Sequence, residues 1–457
     1  MKKWRWCIGI SAALLLAFGG MVCAEGNKEA ATSGTAVTGP FSWTKYQGQT
    51  VRLLLNKHGY TDSMLKELAS FEKLTGIKVK YDIYPEEQYF DKVTVALSSG
   101  SSDYDVYMTG AYQVWQYAPP GWVEPLEKYI DDPSVTNPNY DASDLLPNLM
   151  ASLRWDTKDG DKTGTGHQWA LPWGFEENTL MYNKKIFADL GLTPPKTFAE
   201  VIKDGKLIEQ KYPGVVGIAV RGTRNWATIH PGFLTGFVSA GGSDYDNNMS
   251  PTMNSPLGVQ YAKAWTDMIK EVGPAQWTTY TWYDVGNALG AGKAAMIFDA
   301  DILGFFQNVP GGSKESGNIG WAVGPGLNGP STKANVWIWS LSMNAASKHK
   351  IPAWYWLQWA TGKDFLTTAA VKYTLVDPVR KSVWEDPAFQ KRLEGFTGYL
   401  ETYKALAPDA RVYFTPQSHF LETTTEWAAA LQDIYGGADA QTTLDRLASR
   451  LKQEVGR

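Results

Sequence analysis

The chain has 457 residues, of which 44% are hydrophobic and 20% charged, and its formal net charge is −4. That length suggests two or three domain-sized units, and the composition excludes collagen, general disorder and a multi-span membrane protein. A mildly acidic chain without a long basic run is also a poor partner for nucleic acid.

Lys2, Lys3 and Arg5 precede an apolar run from Ile8 to Phe18, and small residues follow. That order is a secretory signal peptide over residues 1–24. Two readings of its end stand side by side. In one, Val22-Cys23-Ala24 places small residues where a signal peptidase reads, and Glu25 begins the mature chain. In the other, Cys23 carries a lipid and anchors the protein to a membrane. Loss of residues 1–24 removes three positive charges and takes the net charge to −7. Residues 25–44 read as a flexible tether, since Gly26 to Gly39 is rich in Ala, Thr, Gly and Ser. Cys7 and Cys23 are the two cysteines, so the body is expected to hold no disulfide.

The body starts near Thr44. Val51 to Leu55 suits a buried strand. Asp62 and Ser63 can cap a helix with Met64, Leu65, Leu68, Phe71 and Leu74 on its apolar face, and Gly76 stops it. Ile77 to Ile83 alternates as a strand. A helix from Glu86 to Ser99 and a strand from Asp105 to Met108 follow. Strand and helix in alternation mean a parallel sheet with helices on its faces. The same grammar returns with helices at 184–190, 197–212, 256–272 and 285–293, and strands at 215–220 and 295–298. Helices at 353–361, 386–397, 423–435 and 441–454 close the chain. The expected picture is two α/β lobes rather than one large sheet.

Several chemistries are missing. The five histidines (His58, His167, His230, His349 and His419) show no metal-ligand spacing, and there is no His-Glu-x-x-His. Gly290 to Ala294 only faintly resembles a phosphate loop, because Ala294 stands where a magnesium-binding hydroxyl belongs. No metal and no cofactor are expected.

Aromatic residues are plentiful: 20 Trp, 23 Tyr and 17 Phe. Core packing accounts for most of them. Near strand ends they have a second use. A sugar or polyol offers an apolar C–H face and a rim of hydroxyls. A flat ring meets the first, and charged or amide side chains meet the second. Trp337 and Trp339 put two indoles on one face of a strand, and Asp299 and Asp301 end another. Arg221 follows the strand at 215–220 and leads to Trp226. Tyr112 and Gln113 follow the strand at 105–108, and His58 follows the first strand. Trp282 joins this set. In open α/β sheets ligands sit outside the carboxyl ends of strands.

Longer stretches carry a family resemblance. They are Phe71 to Val79, Gly121-Trp122-Val123-Glu124-Pro125-Leu126, Ala170-Leu171-Pro172-Trp173, Met181 to Phe187, Gly191 to Thr197, and Gly292 to Met296. Together they resemble the family 1 extracellular solute-binding proteins of ABC importers, in order over about residues 50–450. Within that family, Gly217 to Gly222, Asn335 to Ser340 and Pro378 to Ser382 are similar to the mannitol- and sorbitol-type binders. Ala227-Thr228-Ile229 and Glu177-Asn178 depart from that branch and leave the hexitol assignment open. The resemblance implies a type II-like periplasmic-binding-protein fold with a ligand cleft between its lobes. Lobe 1 would hold 45–175 and 341–378, and lobe 2 would hold 176–340 and 379–457. Crossings would fall near Phe175, Ser340 and Pro378, which brings Glu176, Trp339 and Arg380 to the cleft.

The resulting expectation is a non-catalytic, monomeric receptor that closes on a small carbohydrate or polyol and hands it to the permease subunits of an importer. The rival is a secreted carbohydrate-active enzyme using a carboxylate pair such as Asp299 and Asp301. A third reading is a sensory receptor for a signalling partner.

Overall fold

The computed structural model describes residues 39–455, so the expected signal peptide, Cys7 and Cys23 lie outside the described part. Among the described residues no helix is long and apolar enough to cross a membrane. The tether expected over 25–44 is docked by its end. Phe41 and Trp43 pack their rings 5.3 and 5.8 Å from Tyr355, whose hydroxyl donates to the Ser42 carbonyl.

Eight strands form one hydrogen-bonded sheet. They are β1 (Thr50–Asn56), β2 (Lys78–Tyr84), β3 (Val106–Thr109), β4 (Leu171–Asn183), β5 (Val216–Ala219), β6 (Ala294–Ala300), β7 (Ile319–Ala322) and β8 (Val336–Met343). Their order is β2-β1-β3-β8-β4-β6-β5, with β7 also on β4. β1 runs parallel to β2 and β3, and β5 runs parallel to β6. β8 is antiparallel to both β3 and β4. The apolar runs dictate this burial: Val51, Leu53, Leu54 and Leu55 of β1 and every residue of β6 and β8 are buried.

The expectation of two lobes with separate sheets meets a difference here. β4 is 13 residues long. Its first half, to Glu177, pairs with β8, and Asn178 onward pairs with β6 and β7. The strand therefore passes from one half of the protein into the other without a break. A third connection lies alongside, where the Phe175 amide donates to the Asp377 carbonyl and the Leu146 amide to the Val379 carbonyl.

The first helix spans Gly59–Thr75, three residues earlier than its expected cap at Asp62. His58 caps it, since its Nδ1 accepts the Tyr60 amide at 3.2 Å. Asp62 sits in the first turn instead, where a negative charge favours the helix dipole. Gly76 ends the helix at φ 69°, as expected. The helix expected at 285–293 also starts early, at Trp282, because Thr281 and Asp284 form a reciprocal capping box. The helix Lys350–Ala360 packs on β1 and β8 with Trp354 and Trp356 buried, as core packing predicts.

Gly174 of β4 meets the Tyr60 ring so closely that a Cβ there would lie 2.1 Å from it. Tyr60 is held by its own hydroxyl, which donates to the Phe175 carbonyl at 3.0 Å. Gly174→Ala is expected to destabilise the fold by about 1–3 kcal/mol through overpacking. Urea unfolding would show this as a lower midpoint at constant slope; an unchanged midpoint would mean that the ring moves freely.

Candidate ligand-binding site

One cavity lies where the two halves face each other, lined by residues from both. The crossing strands make its floor. Trp337 and Trp339 are two residues apart on β8, so both indoles fall on one side. Their rings meet edge to face at 5.0 Å. The β4/β8 register sets Glu176 directly opposite Trp337, and Trp339 Nε1 donates to Glu176 Oε1 at 2.7 Å. His58 enters from the end of β1. Its Nδ1 is used in the helix cap, which leaves Nε2 to carry the ring proton, 3.6 Å from Glu176 Oε1. Glu176 is thus a buried acceptor with partners on two sides, and it lines the cavity.

Arg221 leaves the end of β5, and Asp299 lies on the neighbouring parallel strand β6. Their contact is bidentate: Nε reaches Oδ2 at 2.9 Å, and Nη2 reaches Oδ1 at 2.6 Å. Burial opposes the guanidinium charge, but the carboxylates of Asp299, Glu176 and Glu86 together outweigh it and raise the Arg221 pKa. Nη1 donates to the Ala227 carbonyl and contacts His230 Nε2 at 3.2 Å. A guanidinium only donates, so Nε2 accepts and the His230 proton sits on Nδ1. Burial first, and the Arg221 charge second, hold the His230 pKa well below its ordinary value. His230 is therefore a neutral ring of one tautomer on the cavity wall. Its Nδ1 is buried and has no partner among the described residues, as is true of Nε1 in Trp282 and Trp337. Three donors thus lie at the site without internal acceptors, the arrangement a hydroxylated ligand would complete.

Seven of the twelve residues singled out from sequence line this cavity: His58, Glu176, Arg221, Trp226, Trp282, Trp337 and Trp339. Four others stand behind the wall. Asp299 anchors Arg221. Tyr112 lies 5.4 Å from the Trp337 ring, and its hydroxyl accepts from Asn335. Gln113 is buried beside Gly110, which the Trp337 ring covers. Asp301 turns inward and accepts the Glu177 and Ile302 amides. Arg380 is elsewhere. It is fully buried, donates to the carbonyls of Thr361, Asp141 and Tyr140, and pairs with Asp144 at 3.2 Å. It ties the third connection to the loop at 140–144 and has no face toward the cavity. Glu86 and His230 also line the wall but were not singled out. Glu86 opens a helix after β2, and a strand-end search applied to β2 would have found it. His230 follows Trp226 by four residues, and no local pattern marks it.

Beneath the floor lies a set of buried carboxyls. Glu177, Asp301 and Asp377 have no ion pair with Lys or Arg among the described residues. Burial raises all three pKa values well above the ordinary range; repulsion by Asp377 adds to it for Glu177 and Asp301, and repulsion by Glu176 adds to it for Asp377. The Tyr399 hydroxyl donates to Asp377, and the Tyr60 hydroxyl lies 3.5 Å from it.

These geometric findings accord with known proteins. Residues 57–365 match the family of bacterial extracellular solute-binding proteins. The chain belongs to this family. The resemblance read from the sequence is borne out. This solute-binding protein is 42% identical to an erythritol/L-threitol-binding protein of Mycolicibacterium smegmatis, covering 95% of its own length and 92% of the relative's. It is 24% identical to a mannitol-binding protein of Pseudomonas aeruginosa, over 74% of this chain and 71% of that one. Among solved structures it shares its fold with a solute-binding protein of Agrobacterium vitis holding D-mannitol (TM-score 0.75, 24% identity, 89% and 98% covered). A second, from Agrobacterium radiobacter with ribitol, superposes at TM-score 0.78 with 22% identity, over 89% and 99% of the chains. The fold is the two-lobed α/β type that was expected.

The carboxyl set makes stability depend on pH in a stated direction. Unfolded carboxyls lose their protons near pH 4. Folded ones with raised pKa values keep them to higher pH. In between, the folded protein binds more protons than the unfolded chain, so its stability falls as pH rises. A tenfold difference in proton affinity is worth about 1.4 kcal/mol. Asp377→Asn keeps an acceptor for Tyr399 and removes one titrating group. It is expected to flatten the decline between pH 5 and pH 8, read as melting temperature against pH. Parallel curves for both proteins would count against the shared burial of these acids.

Proposed function

We propose that this protein binds a short acyclic polyol of tetritol size between its lobes and presents it, chemically intact, to the membrane subunits of an ABC importer. The observation that carries this reading is the cavity, floored by two indoles and ringed by Glu176, His58, Arg221 and His230. The indoles suit the C–H face of a carbon chain, and the polar ring suits its hydroxyls. The 42% identity to an erythritol/L-threitol binder supports the same size class. Lobe boundaries at 45–175 plus 341–378 and 176–340 plus 379–457 agree with β4 and β8 as the crossing strands. Ligand contacts from both halves favour the closed form by their differential affinity.

The carboxylates a glycosidase reading relied on are committed elsewhere, Asp299 to Arg221 and Asp301 to backbone amides, which supports a binding role without catalysis. We place the mature protein outside the cytoplasm as a monomer. It is released by cleavage after Ala24 or held by a lipid on Cys23.

Calorimetric titration with erythritol, threitol, ribitol, mannitol and maltose tests the reading. One-to-one binding is expected, tightest for the tetritols, with the ligand recovered unaltered. At a hundredfold over Kd the ligand should raise stability by about 2.7 kcal/mol. Glu176→Gln removes a charged acceptor and should weaken tetritol binding by about 10–150-fold. Preference for maltose, or a hydrolysed product, would overturn the proposal.

A further inference from the structure

We infer that Trp282 sets the upper length of the ligand by walling the central cavity off from two further spaces on either side. The inference rests on the short-polyol reading above. One neighbouring space lies toward Phe90, Arg224 and Thr228. The other lies toward Lys57, Asn287 and Phe306. Glu86, Arg221 and Trp226 border the central cavity and the first space, whereas His58 and Leu303 border the central cavity and the second. Trp282 borders all three.

The indole is placed firmly enough to act as a partition. It is the first residue of the helix Trp282–Gly290, and the Thr281–Asp284 capping box fixes that start. Asp284 Oδ2 takes the Thr281 amide at 2.9 Å and its hydroxyl at 2.7 Å. The ring stacks on Tyr283 at 3.8 Å and reaches within 6.5 Å of the His58 ring. Trp282 comes from the half that carries β5 and β6, and His58 from the half that carries β1. The contact therefore closes the cavity between halves rather than within one. The buried, unpartnered Nε1 of Trp282 adds a donor at that boundary, where the last hydroxyl of a short chain would end. A longer polyol would have to displace the indole. In a closed pocket one extra methylene is worth about 10–200-fold in discrimination.

The test titrates wild type, Trp282→Ala and Trp282→Phe with erythritol, ribitol and mannitol. Wild type should favour the four-carbon ligand. Trp282→Ala joins the three spaces. It should lower erythritol affinity while sparing or raising mannitol affinity, a shift in their ratio of at least about tenfold. Trp282→Phe keeps a ring and should keep the order of preference. If Trp282→Ala does not fold, Trp282→Leu should show the same shift. A parallel loss for all three ligands would overturn the inference and leave Trp282 as a contact surface only. Wild type binding none of the three would undo the short-polyol reading and the length limit with it.

Discussion

The pairing of β4 with β8 is the constraint on which the site depends. Both strands are buried along almost their whole length, and both are hydrogen-bonded on each edge. Their register alone sets Glu176 against Trp337 and within reach of the Trp339 indole. A slip of β8 by one residue would turn both indoles away from the side that carries Glu176. Because β4 continues into the second half of the protein, the same backbone carries the floor of the cavity and the link between the halves.

Charge is managed differently on the two sides of that floor. Facing the cavity, each buried charge has a partner. Arg221 is gripped by Asp299 and relays that order to the His230 ring, whose tautomer and orientation follow. Removing one member of such a pair leaves an uncompensated buried charge, at a cost of about 3–5 kcal/mol. Behind the floor, Glu177, Asp301 and Asp377 lie together without a cation and hold protons instead. Adjacent residues of one strand, Glu176 and Glu177, thus belong to two unlike environments, because alternate side chains of a strand point to opposite faces.

Much of this was legible in the sequence. The apolar run of β1, the alternation of β2 and the amphipathic helix Pro256–Val272 announce themselves through period and burial. The aromatic pair in β8 and the arginine after β5 follow from residue type at a strand end. β4 was hidden, since Glu176-Glu177-Asn178-Thr179 interrupts its hydrophobic pattern. Asn178 finds its partners on distant segments, where the carbonyls of His230 and Asn335 accept from its side-chain nitrogen. Arg380 was misplaced for a related reason. An arginine near a chain crossing can face a cleft or bind carbonyls, and only the position of the 140–144 loop decides between them. His230 depends on an arginine nine residues earlier, a relation that single-residue reading does not reach.

The floor and the walls of the cavity differ in how they are built. Glu176, Trp337 and Trp339 sit inside a hydrogen-bonded sheet, where any exchange disturbs the fold's central seam. Glu86, Trp226 and Trp282 sit at the first turns of helices on the outside, each on its own short segment. Retuning such a receptor, by selection or by an engineer building a biosensor, therefore has an economical route. The rim can be rewritten one position at a time while the seam beneath stays as it is.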